Sequence, residues 1–240
     1  MKKVFVFLAA IAVFGIALSC NKDDGKNQGN NASQRETVTL SIVMDGAFDD
    51  WKGLKGASVA EVPDDETATP YLLKMVSIAD SKNIYFYFQY QVEEEQTAAP
   101  FTLDIDSDDD PSTGVTLGEY WKETGINYEI ASSGGFINGA SYRRMTDVKL
   151  YVANEDFWGQ DRWTTGAVKD RSASGVKSAG VRNGDLVEIE MLVPRTLIKA
   201  EKAGSVRVGC LVSDSDWAVR GFLPCDEGKA MTEMLEVELP

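Results

Sequence analysis

The stretch from residue 83 to residue 92 constrains the fold most, because hydrophobicity alternates along it with a period of two. One set of alternate positions carries Ile84, Phe86, Phe88, Tyr90 and Val92. A period of two places alternate side chains on opposite faces of a β-strand. We therefore predict a strand with one face in the core and a half-exposed second face, on which Tyr85 and Tyr87 lie.

Short segments of similar character recur along the chain between turns rich in Gly, Asp and Ser, and no long segment repeats with a period near 3.6. We predict strands over residues 38–44, 72–79, 83–92, 101–106, 127–131, 147–153, 163–169, 186–193, 205–213 and 234–239. A proline opens residues 194–198, which favours one helical turn. Short strands separated by turns are typical of antiparallel sandwiches. The prediction is therefore a single all-β domain, an antiparallel β-sandwich of the immunoglobulin or jelly-roll type.

The amino terminus has the pattern of an export signal. Lys2 and Lys3 precede an apolar run, residues 4–18, that is short for a membrane span. It ends in ALSC, residues 17–20, which resembles the lipobox of bacterial lipoproteins with Cys20 as the lipidated residue. We predict a signal peptide over residues 1–19, a polar tether over 20–36 and the folded domain over 37–240. An ordinary signal peptide with an incidental cysteine is the alternative.

Residues after Cys20 and the overall charge indicate where such a protein works. Residues 22–24, KDD, resemble the export signal of surface lipoproteins in the Bacteroidetes, although a solvated spacer has the same composition. The formal net charge of −14 argues against nucleic acid as a partner. We expect a protein held by its lipid at the outer membrane, on the cell surface or on the periplasmic face. In that oxidising compartment Cys210 and Cys225 are candidates for a disulfide, with unpaired thiols as the alternative.

A dense group of carboxylates follows the predicted strand at residues 101–106. Asp106, Asp108 and Asp110 stand at alternate positions before a Pro-Ser-Thr-Gly turn. Oxygen-rich loops bind hard cations, and like charges at this spacing repel one another without one. We therefore predict that these three carboxylates bind calcium. The alternative is a simple turn in which each aspartate bonds to its own backbone.

Four short motifs, in order, resemble family 9 carbohydrate-binding modules and the wider DOMON-like β-sandwiches. They are DGAFDDW at residues 45–51, IDSDDDPSTG at 105–114, GINYEI at 125–130 and EMLVP at 190–194. The resemblance covers roughly residues 38–239. It implies a DOMON-like sandwich, structural calcium and a non-catalytic domain that holds a sugar between two tryptophans.

Tryptophans in loops or at strand ends are the candidates for that sugar site. They are Trp121, Trp158, Trp163 and Trp217, with Asn127, Gln160, Asp161 and Arg162 as polar neighbours. Trp51 belongs to the opening motif, and we interpret it as structural. For each of the four candidates, packing at the edge of the core is the alternative.

The predicted function is therefore to hold a poly- or oligosaccharide near a glycan-degrading or glycan-uptake complex. The chain contains no histidine, so the commonest general base and zinc ligand are missing, and no nucleophile motif is present. One alternative is a glycoside hydrolase or its accessory domain, since that chemistry needs only two carboxylates. The other is an adhesion-type lipoprotein that binds another protein.

Overall fold

Strands with apolar residues at alternate positions form two antiparallel sheets, whose inner faces pack against each other. The computed structural model describes residues 39–62, 71–92, 100–110, 112–115, 121, 125–135, 146–152, 169–172, 175–214, 216, 218–226, 230–231 and 233–240. The chain divides into Met1–Gln34 and Arg35–Pro240, and every described residue belongs to the second unit. Within the described ranges, no helix has the length and hydropathy to cross a membrane.

The elements are short, as the turn pattern predicts. The strands are β1 (Ser58–Glu61), β2 (Leu72–Ala79), β3 (Asn83–Gln91), β4 (Phe101–Asp106), β5 (Tyr128–Gly135), β6 (Thr146–Val152), β7 (Lys169–Ser172), β8 (Lys177–Asn183), β9 (Leu186–Pro194), β10 (Ser205–Ser213), β11 (Val219–Leu223), β12 (Cys225–Asp226), β13 (Ala230–Met231) and β14 (Leu235–Glu238). Two 3₁₀ turns, Phe48–Trp51 and Arg195–Ile198, accompany them. The second turn is the helical turn that the sequence predicts after Pro194.

The strands are arranged as a sandwich. The first sheet has the order β1-β2-β3-β9-β8. The second has the order β11-β10-β4-β5-β6-β7, with β14 also paired to β10. All of these pairs are antiparallel. The prediction of an all-β antiparallel sandwich is confirmed.

The core lies between the two sheets and is built from the alternating faces. On β3, Ile84, Phe86 and Phe88 are fully buried, and they meet Leu103 of β4 in the same cluster. The rings of Phe88 and Phe101 pack edge to face across the core, with centroids 4.7 Å apart. Each large apolar side chain buried in this way contributes about 1.5–3 kcal/mol. The period-two pattern therefore places the large apolar side chains of β3 and β4 in the core.

The outer face of the first sheet is covered by residues that precede β1. Tyr85 and Tyr87 are buried there together with Ile42 and Trp51, so the expectation of a half-exposed face is wrong. The described part of the predicted first strand, residues 39–44, forms no ladder. It lies over this face instead, and the Val43 N–H donates to the Asp50 carboxylate at 2.9 Å.

Most other strand predictions agree with the structure, several to the residue. Residues 72–79, 101–106 and 205–213 coincide with β2, β4 and β10. The prediction missed β1, β8 and β11, and it reached β7 only at Lys169; each of these lies at the edge of its sheet without a clear alternation of apolar residues. The two-residue strands β12 and β13 were not predicted either. The predicted strand over residues 163–169 lies outside the described residues, apart from its last position.

Candidate functional site

One end of the second sheet gathers several of the residues that the sequence singles out. Asp106 ends β4 and lies opposite Arg207 at the start of β10. Tyr128 begins β5, directly after Asn127, and pairs with Val152 at the end of β6. Val152 in turn pairs with Lys169 at the start of β7. The acidic loop and both boundaries of segment 153–168 are therefore at the same end of this sheet, which we call the Asp106 end.

Asn127 fastens the acidic loop to the sheet. Its side-chain oxygen accepts hydrogen bonds from the Ser107 N–H at 2.7 Å and the Ser107 hydroxyl at 3.2 Å. Its amide nitrogen donates to the Thr113 hydroxyl at 3.0 Å. Asn127 thus spans both sides of the loop, and these contacts explain it as a structural residue. The sequence predicts a sugar ligand at this position, and the contacts give that role no direct support.

Asp106 is the buried carboxylate of the loop and is 1% exposed. Its Oδ1 accepts the backbone N–H of Asp109 at 2.8 Å and that of Asp108 at 3.3 Å. Its Oδ2 is buried and accepts no hydrogen bond from the described part of the chain. Burial raises the pKa of Asp106 to about 6, against these N–H bonds and assisted by the nearby Asp108 carboxylate. The site therefore disfavours an unneutralised negative charge.

The other aspartates of the loop are exposed and have different partners. Asp110 Oδ1 accepts both the N–H and the hydroxyl of Ser112, and these bonds lower the pKa of Asp110. Asp109 has a left-handed φ of 55° and forms a 2.7 Å ion pair with Arg207. Among the described residues, no group of three or more acidic, cysteine or histidine side chains has the geometry of a metal site. The calcium site predicted at Asp106, Asp108 and Asp110 therefore stays a prediction.

Two glycines let the two sides of the loop approach each other, and sequence reasoning missed their role. A Cβ on Gly125 would lie 1.9 Å from the Thr113 carbonyl oxygen. A Cβ on Gly114 would lie 2.5 Å from the Ile126 carbonyl oxygen, and its φ of 70° is left-handed. The sequence could have indicated this role, because both glycines lie within the motifs at 105–114 and 125–130.

Trp121 is a core residue, so the prediction of an exposed stacking ring is wrong. It is 0% exposed and packs with Ile126, Leu211 and Met234. The ring lies over Gly209, where a Cβ would come within 2.5 Å of it. Its indole N–H donates to Asp104 Oδ2 at 2.9 Å. The physical reason is that β10 carries a glycine at the position where the outer face of the second sheet receives the ring.

Trp51 is likewise buried against the outer face of the first sheet, which agrees with its interpretation as a structural residue. Its indole N–H donates to Glu190 Oε2 at 3.0 Å, and the Gly46 N–H donates to Glu190 Oε1 at 2.6 Å. Glu190 is fully buried on β9. Burial raises its pKa, although the bonds from Gly46 and Trp51 oppose the rise. Each outer face is thus closed by a tryptophan bound to a buried carboxylate of the sheet.

The remaining predicted sugar residues lie outside the described residues. These are Trp158, Trp163, Trp217, Gln160, Asp161 and Arg162. Trp217 belongs to the β10–β11 connection, whose anchor Ser213 pairs with Val219 at the end of the sheet away from Asp106. There Asp214 accepts the N–H groups of Asp216 and Ala218, both at 2.9 Å. The described residues on either side of Trp217 are therefore at the end of the sheet away from Asp106.

Cys210 and Cys225 do not form the candidate disulfide in this structure. Cys210 is fully buried on β10 and lies opposite Leu223 of β11. Cys225 follows two residues later, in β12, which pairs with β13 instead. The thiol of Cys210 is enclosed by the core, and this burial raises its pKa well above the usual range. Cys20 lies outside the described residues.

Comparison with protein-family models and with curated proteins found no match to this chain.

Proposed function

We propose that this β-sandwich is a non-catalytic carbohydrate-binding domain whose site lies at the Asp106 end of the second sheet. One observation carries the proposal: Val152 and Lys169, the described residues on either side of segment 153–168, pair with each other at the same end of the sheet as the acidic loop. That segment carries Trp158 and Trp163 together with three polar side chains. Loops on a rigid sandwich are where binding residues concentrate.

The chemistry of that segment suits a sugar. Tryptophan rings stack on the C–H faces of a pyranose with little loss of side-chain freedom. Gln160, Asp161 and Arg162 offer donors and acceptors for hydroxyl groups. A small site of this kind binds weakly, with a Kd on the order of micromolar to millimolar, about −8 to −4 kcal/mol. The resemblance to family 9 modules and DOMON-like sandwiches points to the same class of ligand.

We also propose that lipid on Cys20 anchors the domain outside the cytoplasm, at the outer membrane or cell surface. There it would hold glycan for a degrading or uptake complex. The support is the order of a basic start, an apolar run and ALSC, followed by a polar tether. Replacing Cys20 with alanine should release the protein from membrane fractions. Unchanged partition of Cys20→Ala would contradict the anchor without touching the sugar proposal.

A glycan array probed with the full chain in detergent tests the binding proposal. We expect binding to one family of poly- or oligosaccharides, with no change in the glycan over time. Calorimetry on the best ligand should then show loss of binding in Trp158→Ala and Trp163→Ala. Trp217→Ala is the matched control, because the described residues that flank Trp217 lie at the other end of the sheet. Hydrolysis of an arrayed glycan would instead favour a glycosidase.

Two results would overturn the binding proposal. The first is an array with no ligand, which would favour a protein-binding lipoprotein. The second is equal binding by the wild type and both loop variants, with circular dichroism showing all of them folded. In that case the rings of segment 153–168 would be packing residues.

A further inference from the structure

The chain enters the domain at one end of the first sheet, beside the turn between β2 and β3. Thr39 is the first described residue, and the N–H of the next residue, Leu40, donates to Asp80 Oδ2 in this turn at 3.4 Å. From there the chain runs inward over the outer face of the sheet, because the Gly46 N–H donates to Glu190 in β9 at 2.6 Å. Thr39 therefore marks the end of the sandwich at which the chain enters.

Arg195 connects this turn to the second sheet. Its guanidinium donates to the Asp80 carbonyl oxygen at 3.2 Å and to the Pro240 carbonyl oxygen at 3.0 Å. Pro240 follows β14, whose end pairs with the start of β10, and the start of β10 also pairs with the end of β4 at Asp106. The point of chain entry and the Asp106 end therefore share one end of the sandwich.

The distance between the domain and its proposed lipid is limited by the chain that joins them. Thr39 follows Cys20 by 19 residues, whose polar composition predicts a flexible chain with an average end-to-end distance of about 24 Å. The central strands β3 and β9 have nine residues each, so the first sheet is about 26 Å long. Turning the Asp106 end away from the bilayer would require the chain to pass this whole length and the loops beyond it, which exceeds its average reach.

We propose that the Asp106 end of the domain faces the membrane that holds the lipid, so that a glycan bound at this end is held against that membrane. The orientation rests on the proposed anchor at Cys20, and the statement about glycan rests also on the proposed sugar site. A partner that receives the glycan is then one embedded in the same membrane, because the opposite end of the domain is the one that faces outward.

Exposed charges decide which side of this end lies nearer to the bilayer. On the side of the first sheet, the β2–β3 turn and the connection to β10 expose three lysines and one glutamate: Lys82, Lys199, Lys202 and Glu201. On the side of the second sheet, the loop after β4 exposes Asp108 and Asp110. Anionic headgroups attract lysine and repel aspartate. The side of the first sheet therefore rests on the bilayer, and the acidic loop is tilted away from it.

Energy transfer from the full, lipidated chain to acceptor lipids in phosphatidylcholine vesicles tests the orientation without using a glycan. A fluorophore is attached in Thr196→Cys or in Asn183→Cys, a matched pair of exposed, uncharged positions. Thr196 follows β9, whereas Asn183 lies opposite the first residue of β9. Transfer should be at least about twofold higher from Thr196→Cys, because the two positions are about 26 Å apart along β9. The parent chain, treated with the same reagent, measures any labelling of Cys225.

Two controls separate the causes of this difference. Inserting 20 Gly and Ser residues between residues 30 and 31 raises the average length of the chain to about 34 Å, so the difference should shrink. A difference unchanged by this insertion would overturn the argument from length. Vesicles that also contain phosphatidylglycerol should keep Thr196→Cys the higher of the two, whereas a reversed order there would show that the acidic loop sets the orientation.

The remaining outcomes distinguish the orientation from the anchor and from the sugar site. Equal transfer from the two positions in phosphatidylcholine, or higher transfer from Asn183→Cys, would overturn the orientation and leave the anchor in place. No transfer from either position would show that the chain is not held at the bilayer, which would overturn the anchor and the orientation together. Neither readout uses a glycan, so a failure of the sugar proposal would not imitate any of these results.

Discussion

Replacing Trp121 with alanine should destabilise the sandwich by about 4 kcal/mol, because the ring is core rather than binding surface. The side chain is 0% exposed. Burying an indole removes about 200 Å² from water, or about 5 kcal/mol at about 25 cal/mol per Å². Restricting its rotamers offsets about 1 kcal/mol of this. The result lies within the range of about 3–5 kcal/mol for buried tryptophan replaced by alanine.

A second substitution separates packing from the hydrogen bond. Trp121→Phe keeps an aromatic ring over Gly209 but removes the indole N–H that donates to Asp104 at 2.9 Å. We expect a loss of about 1–3 kcal/mol, because a bond to a buried carboxylate is lost. Val59→Ala is the control. Val59 is 48% exposed on β1, so its truncation should change stability by less than about 0.5 kcal/mol.

Urea denaturation followed by far-ultraviolet circular dichroism measures these losses, since that signal does not depend on the tryptophan removed. The slope of the transition should stay constant while its midpoint falls. The decisive comparison is sugar binding at a temperature where Trp121→Phe is fully folded. Full stability in Trp121→Ala, within about 1 kcal/mol of wild type, would refute the packing argument. Loss of sugar binding in a folded, stable Trp121→Phe would return this ring to the candidate sugar residues.

Three further predictions concern stability and use the same denaturation assay. Arg195→Met should lower the free energy of unfolding by about 3–5 kcal/mol, because this buried guanidinium donates to the carbonyls of four residues. Arg207→Met is the control, because it removes one half-exposed ion pair worth about 1 kcal/mol or less. Equal losses of stability in the two variants would contradict this prediction. Tyr90→Phe should be neutral or stabilising by about 1 kcal/mol, because its buried hydroxyl has no hydrogen-bond partner among the described residues. Tyr87→Phe loses a bond to the Glu188 carboxylate and should be destabilised, so the reverse order would contradict this reasoning. Gly125→Ala should lower the free energy of unfolding by about 2 kcal/mol or more, since its Cβ would overlap backbone atoms. A denaturation midpoint equal to that of the wild type would show that the loop relaxes freely.

Local periodicity made much of the fold predictable. An extended chain alternates its side chains whatever its surroundings, so β2, β4 and β10 could be delimited from the sequence alone. The cluster of turn residues likewise indicated that the acidic loop follows β4. The edge strands β1 and β8 were not predictable, because they take their place from backbone pairing to β2 and β9 rather than from their own side chains.

Only the tertiary structure decided which faces are covered and which side chains are left for a ligand. Trp121 lies in a polar stretch and would be expected at the surface, but Gly209 on a distant strand leaves room for its ring. Asp106, Asp108 and Asp110 look equivalent at alternate positions, yet burial and hydrogen bonds make only the first an unsatisfied carboxylate. Residue type and local spacing are properties of the sequence itself. Burial and hydrogen-bond partners depend on residues brought together by folding, so they had to come from the structure.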